Sequence, residues 1–359
     1  MCAAPGNKTA QLAQMTGING LVIANDVSER RLQSGILTWE RLGLLNITAS
    51  VYDGSSLPRM NGALHNVLVD APCSGEGTCR RNPRALRPST EQFRRHLYAT
   101  QTRLLERSID LCAAGGRILY CTCTFAPEEN EIRIDELLRG SFGDKVCIEP
   151  IAVPGFRLAP GITTWNSRRL HPDVEASARV WPHLNNTGGF FMAAFRKKSK
   201  TGKPGLSLSS CPASRPRNKG AGVRPTSVTE DPPLSHPAHL QPVDAEEYLE
   251  ALRRRFGIDP EELKANYRFF QGGNRNLVVA ARHLPPPPEL QIRFLGMRFL
   301  RTAMATPKPI AEAVPLLGTM VTQNRIELRA HEIAAVRRQI ELQVPIARVA
   351  GYSGPGFVI

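Results

Sequence analysis

The sequence has no apolar run long enough to span a membrane and no apolar segment of the kind that opens a secretory signal. The expectation is a soluble, intracellular protein with no membrane partner. Aromatic residues are few, at 6%. Acids are short too. The 32 Asp and Glu face 46 Lys and Arg, a formal net charge of +14. Such a field favours polyanionic partners, nucleic acid first, although a merely soluble basic protein carries the same charge. The eight cysteines lack any pair of C-x-x-C spacings, which argues against a structural zinc site, and the chain is too large to need a disulfide scaffold. No metal is expected.

What is present is alternation. The 42% hydrophobic content can fill a core, and 359 residues suffice for two domains and a linker. Up to about residue 198, strand-like and helix-like runs alternate with short connections. "GLVIAND" (20–26), "NITASVYDG" (46–54), "HNVLVD" (65–70) and "RILYCTC" (117–123) read as strands. Residues 90–114 read as a long amphipathic helix burying Phe93, Leu97, Leu104, Ile109 and Leu111, stopped by Gly115 and Gly116. "GGFFMAAF" (188–195) adds a late strand. The pattern predicts an α/β fold with a doubly wound parallel sheet over 1–198. Residues 199–243, rich in Pro and Ser, read as a basic linker. From Arg196 to Arg224 there are nine basic residues and no acid. Residues 244–359 read as a small α+β domain, with "LQIRFLGMRFLR" as one of its strands.

In a doubly wound sheet, ligands sit at the carboxyl ends of the strands. Asp26, Asp53, Asp70 and Cys123 stand at such ends, and Cys73 follows Asp70 in "VLVDAPCSGEGT" (67–78). An acid such as Asp26 suits a ribose diol, and one such as Asp53 an adenine amino group. Acids also close strands as cap residues, so each alone says little. The loop "MCAAPGNKT" (1–9) is neither a P-loop nor G-x-G-x-x-G, but its small residues allow backbone to approach a ligand, and Lys8 adds positive charge.

Two thiols at neighbouring strand ends suit attack on a pyrimidine. A thiolate adds to carbon 6 of cytosine, carbon 5 becomes nucleophilic toward a methyl donor, and the thiol is then eliminated. One thiol can attack and the other assist release. Lys8 and the basic loop "RRNPRALR" (80–87) could help to ionise a thiol. Two buried, inert cysteines are the alternative, accepted for Cys112 and Cys147 and favoured for Cys121, which alternation turns away from Cys123.

"MCAAPGNKT", "NDVSERR", "YDGSSLP", "DAPCSGEGT" and "YCTCTFAPEENE" occur in this order. With them residues 1–198 resemble the Nop/Sun (NSUN) family of RNA 5-methylcytosine methyltransferases. "APGITTW" (159–165) and "VWPHLNNTGGFF" (180–191) look closest to its tRNA-directed eukaryotic branch. The resemblance implies a Rossmann-like methyltransferase domain, a PUA-like RNA-binding C-terminal domain, and a monomer in the nucleus acting on RNA, tRNA first, with rRNA as substrate or a non-catalytic RNA-binding fragment as the alternatives. It implies Cys123 as nucleophile, Cys73 as the residue assisting release, Asp70 on the cytosine edge, and Lys8 near the reacting base. S-adenosylmethionine would be held by Cys2, Ala3, Ala4, Pro5, Gly6, Asn7, Lys8, Asp26, Arg31, Asp53 and Asp70. The family places a central strand just before the Cys2–Gly6 loop, and this sequence begins inside that motif. The expectation is a sheet without its first strand and a chain that is poorly stable or poorly active.

Overall fold

Each apolar run that ends in an acid becomes a short strand. The computed structural model describes residues 1–60, 63–199, 237, 239–273, 275–282, 285–304, 306–338 and 345–351. The chain begins with α1 (Asn7–Thr16), β1 (Val22–Asn25), α2 (Glu29–Arg41), β2 (Ile47–Ser50) and β3 (Leu64–Asp70). It continues through α3 (Glu91–Leu111), β4 (Cys112–Thr122), α4 (Glu131–Arg139), β5 (Val146–Glu149), β6 (Ala159–Pro160), β7 (Thr164–Trp165) and β8 (Arg168–Arg169). β9 (Ala178–Val180), α5 (Pro182–Asn185), β10 (Phe190–Lys197), β11 (Leu240–Pro242), α6 (Glu246–Phe256) and α7 (Pro260–Asn266) follow. The last strands are β12 (Tyr267–Gly272), β13 (Asn276–Ala281), β14 (Ile292–Leu295), β15 (Met297–Arg301) and β16 (Lys308–Pro309).

Two compact units result. One comprises Met1–Ala3, Asn25–Val27 and Tyr52–Asp231, the other Ala4–Ala24, Ser28–Val51 and Pro232–Ile359. In the first, β3 and β4 pair in parallel with Asp70 opposite Cys121. The order is β3-β4-β10-β9-β6, with β10 antiparallel to β4 and β5 paired to β10. Leu104, Leu105 and Ile109 of α3 pack with Val67, Val69, Ile118, Tyr120, Phe191 and Phe195. Burial stabilises each such side chain by roughly 1.5–3 kcal/mol.

Two details of α3 differ from expectation. Phe93 is 47% exposed. The stripe Leu97, Gln101, Leu104, Ser108 is buried, but Phe93 lies one turn before it. Cys112 begins an 11-residue strand instead of ending the helix, because its backbone is extended (ψ 140) and it pairs with Leu64.

In the second unit, β1, β2 and β14 form one sheet, with Leu295 of β14 opposite Thr48 of β2. A five-stranded antiparallel sheet, β11-β12-β13-β15-β16, carries the rest. α6 and α7 cover it through Leu249, Leu252, Phe256 and Leu263. The run expected as one strand over "LQIRFLGMRFLR" is cut at Gly296. Its φ is 65°, and a Cβ there would lie 2.0 Å from the Val279 carbonyl oxygen, so only glycine fits. The break sends Ile292–Leu295 to β2 and Met297–Arg301 to β13.

That ladder to β2 has a consequence for the domain boundary. Residues 4–24 and 28–51 group with the C-terminal strands rather than with 52–231. The α/β fold is as expected, its strands set in open sheets, β1-β2-β14 and β3-β4-β10-β9-β6, and among the described residues no strand pairs with β3 on the side away from β4. Met1 and Ala3 lie there instead. The Met1 amino group donates to the Leu68 carbonyl at 2.6 Å, and the Asp70 N–H donates to the Met1 carbonyl at 3.4 Å. The Ala3 N–H donates to the Asn25 carbonyl at 2.8 Å. Leu240–Pro242, inside the expected linker, is strand β11. Residues 200–236 and 238 of that linker, Cys211 among them, lie outside the described residues. Among the described residues no helix is long and apolar enough to cross a membrane.

Candidate active site

Parallel pairing of β3 with β4 brings the two cysteine loops side by side. The Sγ atoms of Cys73 and Cys123 are 3.3 Å apart, within hydrogen-bond reach for sulfur, and the Cys123 N–H points to Cys73 Sγ at 3.4 Å. Both residues are half-buried. The Cys73 thiol is pushed well above the ordinary thiol range. Its hydrogen bond with Cys123 is the largest cause, followed by burial, the charge of Cys123, and the Glu129 carboxylate.

The loops are fastened by buried acids that follow Cys123. Glu129 is 1% exposed, and its Oε2 accepts from the Ser74 N–H at 3.0 Å and from Gln101 Nε2 at 2.9 Å. The same Gln101 nitrogen donates to the Pro72 carbonyl at 2.8 Å. Thus α3 and Glu129 grip the loop on both sides of Cys73. Asn130 holds the other loop: Thr122 Oγ1 donates to its Oδ1 at 2.6 Å, and its Nδ2 donates to the Thr124 carbonyl at 3.1 Å. Glu131 and Arg179 form a bidentate pair, both contacts 2.6 Å, with side chains 0% and 2% exposed. Arg179 also donates to the Phe125 carbonyl at 3.0 Å. Ser74 Oγ and Thr124 Oγ1, 2.7 Å apart, join the loops directly. Gly77 completes the junction. Its N–H donates to the Cys123 carbonyl at 2.8 Å, and a Cβ would lie 2.4 Å from the Gly189 carbonyl oxygen.

Sequence reasoning passed over Gln101, Glu129, Asn130, Glu131 and Arg179. The acids of "PEENE" stand at the start of α4, where carboxylates complement the helix dipole, and that reading needs no distant partner.

Asp70 is half-buried at the end of β3, and Cys121 Sγ donates to its Oδ1 at 3.5 Å. Cys121 therefore faces Asp70 rather than Cys123, as its alternation predicts. Cys112 is buried, whereas Cys147 is half-buried, its Sγ 3.8 Å from the Arg196 carbonyl. Asp26 is 1% exposed just past β1. Asn25, not singled out before, ties the two acid-tipped ends together. Its Nδ2 donates to the Tyr52 carbonyl at 3.0 Å, and its Oδ1 accepts from the Tyr52 N–H at 3.1 Å. Asp53 caps a short 3-10 turn, its Oδ1 accepting from the Ser55 N–H at 2.9 Å and the Ser55 hydroxyl at 2.8 Å. Those bonds hold its carboxyl below the usual range. Cys2 and Ala3 belong to this first unit as well.

Ala4, Pro5, Gly6, Asn7, Lys8 and Arg31 belong to the second unit. Arg31 Nη2 donates to the Ala4 carbonyl at 2.9 Å and Trp39 Nε1 to the Gly6 carbonyl at 3.0 Å, so α2 props the loop from behind. Lys8 is half-buried in the first turn of α1.

Residues 1–196 match the family described as 16S rRNA methyltransferase RsmB/F. The chain belongs to the RsmB/F methyltransferase family. A mouse relative, "28S rRNA (cytosine-C(5))-methyltransferase", is 36% identical over 205 residues, 56% of this chain and 25% of its own length. The Saccharomyces cerevisiae "Multisite-specific tRNA:(cytosine-C(5))-methyltransferase" is 33% identical over 242 residues, covering 55% of this chain and 35% of the yeast protein. A solved "Methyltransferase Homolog Protein" from Pyrococcus horikoshii is 32% identical with a TM-score of 0.47, covering 54% of this chain and 59% of that one. This RsmB/F chain thus spans a quarter to about a third of the two curated relatives' length. Both cysteine loops and all four strand-end acids fall inside the RsmB/F stretch.

Proposed function

We propose that this chain transfers a methyl group from S-adenosylmethionine to carbon 5 of cytosine in RNA, through a covalent adduct with Cys123. The observation that carries the reading is the sulfur pair. Two thiols 3.3 Å apart share one environment, with the Cys73 thiol pushed up by its hydrogen bond with Cys123 and by burial. Cys123 loses its proton to solvent and its thiolate is stabilised by the Cys73 S–H. It adds to carbon 6, and the ring electrons collect at carbon 5. Asp70, at the end of β3, orients the cytosine edge. S-adenosylmethionine, when bound, supplies an electrophilic methyl group. Cys73 assists release: as the carbon–sulfur bond breaks, it gives its S–H proton to the departing Cys123 sulfur and takes up the proton from carbon 5.

The donor set suits the methyl donor. Asp26 is a carboxylate just past β1, an acceptor for the two hydroxyls of a ribose. Both Ser55 bonds fall on Oδ1 of Asp53, leaving Oδ2 to receive an adenine amino group. The sequence resemblance adds Cys2 and Ala3 of the first unit to the methionine portion, and it assigns Ala4, Pro5, Gly6, Asn7, Lys8 and Arg31 of the second unit to the cofactor as well. The choice of tRNA, the nuclear location and an RNA-holding, PUA-like C-terminal domain rest on the sequence resemblance.

The test uses Cys73→Ala chain incubated with S-adenosylmethionine and either total tRNA or total rRNA, then run on a denaturing gel. A covalent protein–RNA band that vanishes in Cys73→Ala/Cys123→Ser supports the reading, and the RNA that gives it names the substrate class. A band that persists without Cys123 overturns the assignment of the nucleophile.

A further inference from the structure

Beside Cys123 the first unit contains a second cavity wall that the chemistry above does not use. A cavity of about 600 Å³ is lined by Gly77, Thr78, Arg80, Arg81, and the segment Asn186–Gly189. Its floor is bonded to the nucleophile's loop. Gly77 donates to the Cys123 carbonyl at 2.8 Å, and Gly189 donates to the Gly77 carbonyl at 2.8 Å. The floor is also tightly packed, since a Cβ on Gly189 would lie 2.0 Å from the Phe125 ring, which stacks on Trp181 at 5.4 Å. One wall is a guanidinium held in place. Arg80 donates to the Thr187 carbonyl at 3.2 Å and to Asn186 Oδ1 at 2.9 Å. The adjacent Arg81 is exposed. No carboxylate lines the cavity, and among the described residues neither arginine pairs with one. A volume of this size takes a group as large as a nucleotide. Its lining of guanidinium, hydroxyl and glycine backbone suits an anion with several acceptor oxygens.

We propose that this cavity holds the nucleotide next to the target cytosine, with its phosphate clamped between Arg80 and Arg81. The inference rests on the RNA reading above and adds a second contact that positions the strand. Cys123 reaches one base, and the cavity, one hydrogen bond from the Cys123 carbonyl, fixes the neighbouring phosphate. Phosphate contacts of this kind set register without reading sequence.

The test is a double-mutant cycle on the full chain. The probe is a short single-stranded RNA with one central cytosine, and a set of copies in which single phosphates are replaced by neutral methylphosphonates. Neutralising one phosphate adjoining the cytosine is expected to weaken wild-type binding about tenfold and to weaken Arg81→Ala, which keeps only Arg80, clearly less. Arg81→Ala should also lower the slope of log affinity against log salt by about 0.7, the value for one single-strand phosphate contact. Arg84→Ala, on the same loop but outside the cavity, should keep both the phosphate effect and its position. If every phosphate substitution weakens Arg81→Ala as much as wild type, or if Arg84→Ala behaves like Arg81→Ala, the inference is overturned. So it is if the wild-type chain does not bind the probe. The expected cycle in wild type, with no Cys123 adduct from the Cys73→Ala chain, would overturn the function and leave the cavity standing. Adduct formation without a masked phosphate would do the reverse.

Discussion

The two cysteine loops and the two acid-tipped strand ends lie in the same unit and are held by different means. The cysteine loops are tied by buried side chains reaching across the fold: Gln101, Glu129, Asn130, Glu131 and Arg179. The acid-tipped ends carry shorter-range links, the buried Asn25 amide to Tyr52 and a local cap at Asp53. Buried charged pairs cost several kcal/mol to desolvate and lose more when half is removed. A single exposed hydrogen bond contributes about 1 kcal/mol. One substitution at a buried charged pair should therefore cost the cysteine loops more than the loss of one amide costs the strand ends.

The largest expected effect comes from breaking the tighter side. Arg179→Met leaves the Glu131 carboxylate buried without its partner and should destabilise the chain by about 3–5 kcal/mol. A urea melt reads this, and adding Glu131→Gln should restore much of the loss. A melt unchanged by Arg179→Met would erase the contrast between the two regions.

Glu129→Gln comes next. The Ser74 N–H and Gln101 lose a charged acceptor, for about 1–3 kcal/mol in the same melt. Its sign at Cys73 can be stated too. The Glu129 charge raises the Cys73 thiol pKa, so neutralising it lowers that pKa. The pH profile of Cys73 alkylation, followed by peptide mass spectrometry, should move to lower pH. A shift to higher pH would remove Glu129 from the sulfur pair's surroundings.

On the looser side, Asn25→Ala should cost about 1–2 kcal/mol, from two hydrogen bonds to Tyr52. Affinity for S-adenosylmethionine by calorimetry should fall more than stability does, because Asp26 and Asp53 lose their common tie. Equal or smaller loss of affinity would show that the ends are fixed by something other than Asn25.

The smallest effect is at Asp53. Its folded pKa lies below its unfolded value because of the two Ser55 bonds. The stability it contributes is present above the unfolded pKa of about 3.9 and is lost as pH falls through the lower folded value. Asp53→Asn should flatten that part of the acid limb by a few tenths of a kcal/mol, near the lower end for an exposed hydrogen bond.

The same contrast explains what could be read in the sequence. Asp26, Asp53, Asp70, Cys73 and Cys123 were legible because each ends a strand or follows one, and that is a local pattern. The meeting of Cys73 with Cys123 was legible because successive strands with one crossover helix pair. Glu129, Glu131 and Arg179 were not. Their partners lie 55, 48 and 48 residues away, and a carboxylate at a helix start already has an ordinary explanation. The pairing of β2 with β14 was out of reach for a similar reason, since Thr48 bonds the Phe294 carbonyl 246 residues later. Gly296 shows a different limit. Apolar residues on both sides made one strand, and only the close approach of Val279 decides that the chain must turn there.

Thr122 and Thr124 bracket Cys123, and Asn130 grips both of them, the Thr122 hydroxyl and the Thr124 carbonyl. A sulfur mounted this way has little freedom to seek its target. Whatever reacts with Cys123 must make the journey, and the energy for unstacking and turning a base comes out of the nucleic acid's own contacts. Substrates whose cytosine is already loose, in a loop or at a helix end, reach the sulfur at the least expense. Under the chemistry proposed above, the stillness of one side chain would become a preference about RNA shape.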